Sequence, residues 1–201
     1  MDKTNEHSFL EIETKYDADS IDRKEFKKLM ESLNPSSFLY VESEDVYYVK
    51  SDTEFLRHRK PPKYSEIKRS ELTFKKKHVG ANNNVRTEVN LRVDGNSAET
   101  VEAFCKGLGY SRNFSIVKCC DIYWLNNECD IVLYSVTDED GKIKDFLEIE
   151  VLEDSGFTED QAWEIISKYE KLLAPLGISA QKRKRLSLFE IYRKVDKNET
   201  K

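Results

Sequence analysis

Pairs of acidic side chains two residues apart occur near both ends of this chain. In Leu10-Glu11-Ile12-Glu13-Thr14-Lys15 charged and apolar residues alternate. Successive side chains of an extended strand point to opposite faces, so Glu11, Glu13 and Lys15 share one face at roughly 6.6 Å intervals. Phe146-Leu147-Glu148-Ile149-Glu150-Val151 repeats the arrangement, with Glu148 and Glu150 opposite the apolar residues. Such carboxylates are hard oxygen donors of the kind that tie Mg²⁺ or Mn²⁺ to phosphate oxygens. Cations recur on similarly alternating segments: Arg57 and Arg59 in FLRHRK, Lys75 and Lys77 in LTFKKK, Arg86 and Arg92 in VRTEVNLRV, where Glu88 joins them, and Lys118 in SIVKCC. With Lys15 these make eight cations suited to polyanionic oxygens, Arg as a bidentate donor and Lys as a point charge. A triphosphate carrying a divalent metal would satisfy both sets.

The elements that must position them are mostly strands. Period-two alternation marks segments 9–16, 38–42, 45–50, 54–60, 70–77, 85–93, 114–124, 128–136 and 143–152, with Asp140-Gly141 as a hairpin turn before the last. Helical spacing appears in Ser20–Leu33 (Ile21, Phe26, Leu29, Met30, Leu33), in Ser97–Gly109 (Ala98, Val101, Phe104, Cys105, Leu108) and in Thr158–Pro175 (Trp163, Ile166, Tyr169, Leu172, Leu173). Strands and helices do not alternate regularly, which favours an antiparallel sheet. Three amphipathic helices need an apolar surface, and the apolar strand faces supply it from outside. The expected fold is therefore α+β, mainly β: a closed eight-stranded antiparallel barrel with helices packed outside and a polar, charged lumen. Cations and carboxylates held together there would need a ligand to neutralise them.

Composition sets limits on function. The chain has 201 residues, 33 Lys+Arg against 38 Asp+Glu, and 35% charged residues, with 10 Phe, 10 Tyr and 2 Trp. That aromatic content argues for a folded chain despite a mean hydropathy of −0.69. A net charge of −5 argues against a sequence-independent nucleic-acid binder. No run approaches the ~18 apolar residues of a membrane span, and Met1–Ser8 is polar, so a cytoplasmic location without membrane association is expected. One domain is expected over 1–195, followed by a polar tail, 196–201. Cys105, Cys119, Cys120 and Cys129 form no CxxC pair and are read as reduced, with Cys119 and Cys120 on opposite strand faces.

The ordered set of ExExK at Glu11, Glu13 and Lys15, RxR at Arg57 and Arg59, the later KxK and RxE strands, and the closing ExE at Glu148 and Glu150 resembles the CYTH, or triphosphate tunnel metalloenzyme, superfamily. The similarity runs from about Phe9 to Leu188 and includes the helix 97–109, Gly109-Tyr110 and the FLEIE ending. It implies an antiparallel tunnel, glutamates holding a metal and Lys/Arg rows holding phosphates. It also implies activities that include triphosphate and thiamine-triphosphate hydrolysis, RNA 5′-triphosphate removal and class IV adenylyl cyclisation. It extends the phosphate-contact set to Lys184 and Arg185 in the basic run near the C-terminus. The chain departs from the family where Asn90 replaces a second Glu, Cys120 an Arg and Tyr134 an Asp; Asp130 lies four residues before Tyr134 on the same face.

The leading expectation is a Mg²⁺- or Mn²⁺-dependent triphosphatase acting on a nucleoside, organic or inorganic triphosphate, as a monomer or homodimer. Glu11, Glu13, Glu148 and Glu150 would hold metal, and Lys15 and Glu88 would join Glu11 and Glu13 in catalysis. One alternative is adenylyl cyclisation of ATP to cyclic AMP in the same tunnel. The other is a binding module that holds a polyphosphate or 5′-triphosphorylated RNA without turnover. His7, His58 and His78 lack ligand spacing, and His58 faces away from Arg57 and Arg59. Trp124, Trp163 and most tyrosines are expected in outer packing, Asn82-Asn83-Asn84 at a loop tip, and Gln181–Arg185 as a solvated or entrance segment.

Overall fold

The computed structural model describes residues 8–61, 69–77, 85–151, 157–184 and 186–194, with backbone only for 8–11, 77, 85 and 86. His7, His78, Asn82–Asn84, Arg185 and the polar tail lie outside the described residues, as do the side chains of Glu11, Lys77 and Arg86.

Eight strands form the framework: β1 (Ser8–Asp17), β2 (Ser37–Ser51), β3 (Glu54–Lys60), β4 (Glu71–Lys77), β5 (Val85–Arg92), β6 (Ser111–Leu125), β7 (Cys129–Thr137) and β8 (Ile143–Val151). All pair antiparallel, in the order β1-β5-β4-β3-β2-β6-β7-β8, and the order returns to β1. This curled sheet is joined at a staggered seam. β1 pairs with β5 over Ser8–Ile12 and with β8 over Ile12–Asp17, so the two ladders overlap only at Ile12. The sequence divides β2 into two segments, but Ser43 and Glu44 continue the ladder opposite Lys118 and Val117. The fifteen-residue partner β6 overrides the local break.

Three helices cover the outer face. They are α1 (Arg23–Ser32), α2 (Ala98–Gly107) and α3 (Glu159–Leu173), capped by Asp22, Ser97 and a Thr158–Gln161 capping box. Phe26 and Met30 of α1 and Ala162, Ile166, Tyr169 and Leu173 of α3 pack on outward residues of β1, β7 and β8, including Tyr16, Ile131, Leu147 and Ile149. Val101 and Cys105 of α2 pack on Val46, Tyr48, Leu56 and Leu72. The apolar stripes are wider than the contact: Phe104 and Leu108 stay about half exposed, and Leu172 and Trp163 are also incompletely covered. A convex sheet touches a helix along a narrow line, so residues at the edges of a stripe remain outside.

The lumen is polar over only part of its length. Towards one end Tyr47, Phe114, Ile116, Tyr134, Val136 and Phe146 form an apolar cluster on inward-facing positions. A short helix absent from the sequence expectations, α4 (Leu188–Tyr192), adds Leu188 and Phe189 to it. Phe189 stacks on Phe55 at 4.3 Å and on Phe114 at 6.4 Å. Its signal is a Ser187…Glu190 capping box directly after the basic run, and both capping contacts form.

Candidate active site: a charged cavity inside the barrel

The inward face is set by strand parity. Glu13 and Lys15 of β1 stand opposite Glu150 and Glu148 of β8; Arg57 of β3 stands opposite Tyr47 and Thr73, and Lys75 of β4 opposite Glu88 of β5. Together with Arg59, Lys118 and Asp130, most of these residues line a cavity of about 170 Å³. The structure thus brings together Glu13, Lys15, Arg57, Arg59, Lys75, Lys118, Glu148 and Glu150 from the expected set, with Glu88 ion-paired to Lys75 beside them.

The lumen charges largely neutralise one another, in place of the expected dependence on a ligand. Arg59 donates from Nε and Nη2 to the two carboxylate oxygens of Asp45, each at 2.8 Å. Asp45 is fully buried; burial alone would raise its carboxyl, but Arg59, then Arg57 and Lys118, hold it well below the usual carboxylate range. Lys75 Nζ lies 2.7 Å from Glu88 Oε2, and Arg57 Nη2 lies 3.8 Å from Glu88 Oε1. Against the upward push of burial these two cations, with Asn90 donating, bring Glu88 down to about 2. Lys15 Nζ is paired with Glu148 and lies 3.5 Å from Glu13.

Two departures from the family pattern are built into this network. Tyr134 donates its hydroxyl to Glu148 Oε1 at 2.7 Å, and its ring lies 4.0 Å beneath Lys118 Nζ. Cys120 faces it across the β6–β7 ladder, and burial pushes the thiol up. Two buried groups on cavity-lining residues have no hydrogen-bond partner among the described residues: the donor Arg57 Nε and the acceptor Asp130 Oδ1. Burial with no compensating cation pushes Asp130 up to about 6.

Several expectations need correction. Arg92 is exposed at the strand end opposite Glu71 and does not line the cavity. Lys184 turns its ammonium to Asp17 Oδ2 at 2.6 Å, while its backbone N–H donates to Lys15 O at 2.7 Å. Arg183 of the basic run is a clamp on the outer wall: it binds both oxygens of buried Glu170, which also accepts from Tyr16. Trp124, Tyr47 and Tyr134 face the lumen; Trp163 remains outside, under the Arg183 guanidinium. Parity carried this signal, since 118, 120, 122 and 124 share a strand face. Asp45 was missed too, though it alternates with Tyr47. For Glu11, Lys77 and Arg86 the backbone register alone is described: Arg86 lies opposite both Glu11 and Lys77. His58 is buried on the outer face and bonded to Ser70 Oγ at 2.7 Å, and the four cysteines are free thiols.

Among the described residues no three His, Cys, Asp or Glu side chains converge as a ready metal site. The donor chemistry nevertheless suits a hard divalent cation. Glu13, Glu148 and Glu150 are all carboxylates on the cavity wall.

No protein-family model matches the chain, and no curated protein is similar to it by sequence. Solved structures are similar over nearly its whole length. A conserved hypothetical protein from Pyrococcus furiosus shares 30% identity at a TM-score of 0.67, covering 90% of this chain and 98% of its own. A candidate adenylate cyclase from Vibrio parahaemolyticus shares 15% identity at a TM-score of 0.63, covering 91% and 97%. A Hippeastrum protein, described as a candidate adenylyl cyclase with a dominant triphosphatase activity, shares 13% at 0.61, covering 92% and 94%. These structures share this chain's fold, an eight-stranded antiparallel sheet curled around a charged cavity, and the chain belongs to one family with the Pyrococcus furiosus protein.

Proposed function

We propose that the chain is a divalent-metal-dependent triphosphatase that hydrolyses a nucleoside, organic or inorganic triphosphate within the barrel cavity. The observation that carries this reading is the lining of one cavity by both charge sets: Arg57, Arg59, Lys75 and Lys118 together with Glu13, Glu148 and Glu150, with an unmet buried donor at Arg57 Nε. A phosphate chain offers acceptors to the cations. The description of the Hippeastrum protein supports hydrolysis over cyclisation.

Phosphoryl transfer depends mainly on positioning and charge neutralisation. In this reading Arg57 and Arg59 bind phosphate oxygens through their guanidinium forks, and Lys75 and Lys118 add point charges. Lys15, held between Glu13 and Glu148, would be a further phosphate contact once those carboxylates were engaged by Mg²⁺ or Mn²⁺. Glu13, Glu148 and Glu150, joined by Glu11 from the same strand, are the proposed metal ligands. The bound metal supplies charge neutralisation and lowers the pKa of an attacking water. Glu88 keeps Lys75 and Arg57 aimed inward and is a positioning residue.

Among the described residues five cations and four carboxylates line the cavity, so neither an anion nor a cation alone finds a large complementary charge there. Metal and triphosphate should therefore bind with mutual reinforcement. The test is incubation of the purified protein with ATP, inorganic triphosphate and thiamine triphosphate plus Mg²⁺ or Mn²⁺, with products resolved by ion exchange. Orthophosphate formed by the wild type and lost by orders of magnitude in Glu13→Ala supports hydrolysis. Cyclic AMP with pyrophosphate would reassign the chain as a cyclase, and retained turnover in the variant would refute the metal assignment.

A further inference from the structure

We propose that Trp124 and Asp130 form a subsite for the organic group of the triphosphate, and that the group accepted is a planar nitrogen heterocycle presenting an N–H donor. The inference rests on the phosphate chain occupying the cation-lined cavity. At about 170 Å³ that cavity falls below the roughly 300–1,000 Å³ of pockets that enclose a whole ligand of drug size. It has room for phosphates and leaves the rest of the substrate to an end of the barrel. One end is filled, because Phe189 of α4 stacks against Phe55 and Phe114 inside the apolar cluster. The organic group must therefore lie towards the opposite end.

Trp124 and Asp130 stand there as direct cross-strand partners on β6 and β7, both lining the cavity, with Ile122 and Val132 as the next inward pair. Directly opposed residues place their Cβ atoms about 5 Å apart, so one planar group can stack on the indole and reach the carboxylate. The turn beyond them holds Asn126 and Asn127 at φ 52° and 55°, the left-handed conformation that joins antiparallel strands tightly and fixes this pair. Asp130 Oδ1 is buried and accepts no hydrogen bond within the described residues, whereas the lumen carboxylates Asp45, Glu88 and Glu148 have a cation or hydroxyl partner. A buried acceptor rewards a ligand that brings a donor and disfavours one that brings another acceptor. The pair thus favours a base that presents an N–H donor over the same ring without one, and either over bare triphosphate.

The chain has two tryptophans, so Trp163→Phe leaves Trp124 as the sole indole reporter. This variant is titrated with ATP, purine riboside triphosphate, whose base has no N–H donor, and inorganic triphosphate in the presence of Mg²⁺, while binding is followed independently by thermal stabilisation. The expected result is quenching by ATP and none by inorganic triphosphate, with ATP held about tenfold tighter than purine riboside triphosphate and Asp130→Asn bringing the two within about threefold. Equal quenching by all three, or an ATP preference unchanged in Asp130→Asn, would overturn the subsite. Phosphate release measured alongside separates the two readings. An ATP-specific quench without turnover removes the hydrolase and leaves the subsite, whereas equal hydrolysis of ATP and inorganic triphosphate without a quench does the reverse. Neither binding nor turnover would remove both.

Discussion

Arg59 and Lys75 each arrive at the cavity already engaged by a carboxylate, Asp45 and Glu88 respectively. A phosphate oxygen therefore competes with an existing ion pair, which favours a multiply charged ligand over a single phosphate. Glu88 also links this arrangement to acid stability. Its folded pKa is brought down to about 2 from an ordinary 4.5, so its contribution is complete above pH 4.5 and is lost as pH falls from there towards 2. Urea midpoints measured at pH 7 and pH 3 should show a smaller pH-dependent loss in Glu88→Gln than in the wild type. Equal losses would mean that Lys75 and Arg57 do not stabilise the ionised form.

The strand elements were legible in the sequence because a half-covered strand must alternate, and Leu10–Lys15 and Phe146–Val151 do so without interruption. Local alternation did not reveal that β2 is continuous, since Ser43 and Glu44 owe their extended conformation to β6. Nor did it say what fills the lumen. Tyr47, Phe114 and Phe146 read as ordinary core residues until the barrel places them inside with α4. The basic run was ambiguous for another reason: whether Arg183 meets solvent or a phosphate depends on Glu170, thirteen residues away on α3. Here it binds Glu170, which with Tyr16 holds it against β1 while it stays partly exposed. Glu170→Ala leaves that guanidinium and the Tyr16 hydroxyl without their acceptor. It should cost about 3 kcal/mol in chemical denaturation, mainly by loosening the 180–184 segment from β1. A loss below about 0.5 kcal/mol would show the clamp to be incidental.

At the scale of the whole molecule, a polar chain folds by sorting its residues onto two faces of one curled sheet. The outer face takes the helices, and the inner face takes charges that satisfy one another around a small cavity. No described helix is long and apolar enough to cross a membrane. The same inner face that lowers the cost of burying charge holds the cations and carboxylates that a metal–triphosphate pair would engage, so stability and the proposed chemistry draw on the same residues. The most direct test follows orthophosphate release from inorganic triphosphate with Mg²⁺ in wild-type protein and in Glu150→Gln, with Tm measured on the same samples. The expected result is Mg²⁺-dependent release that falls at least a hundredfold in the variant while Tm shifts by no more than a few degrees. Release that persists without divalent metal, or that survives in Glu150→Gln, would contradict metal-dependent hydrolysis inside the barrel.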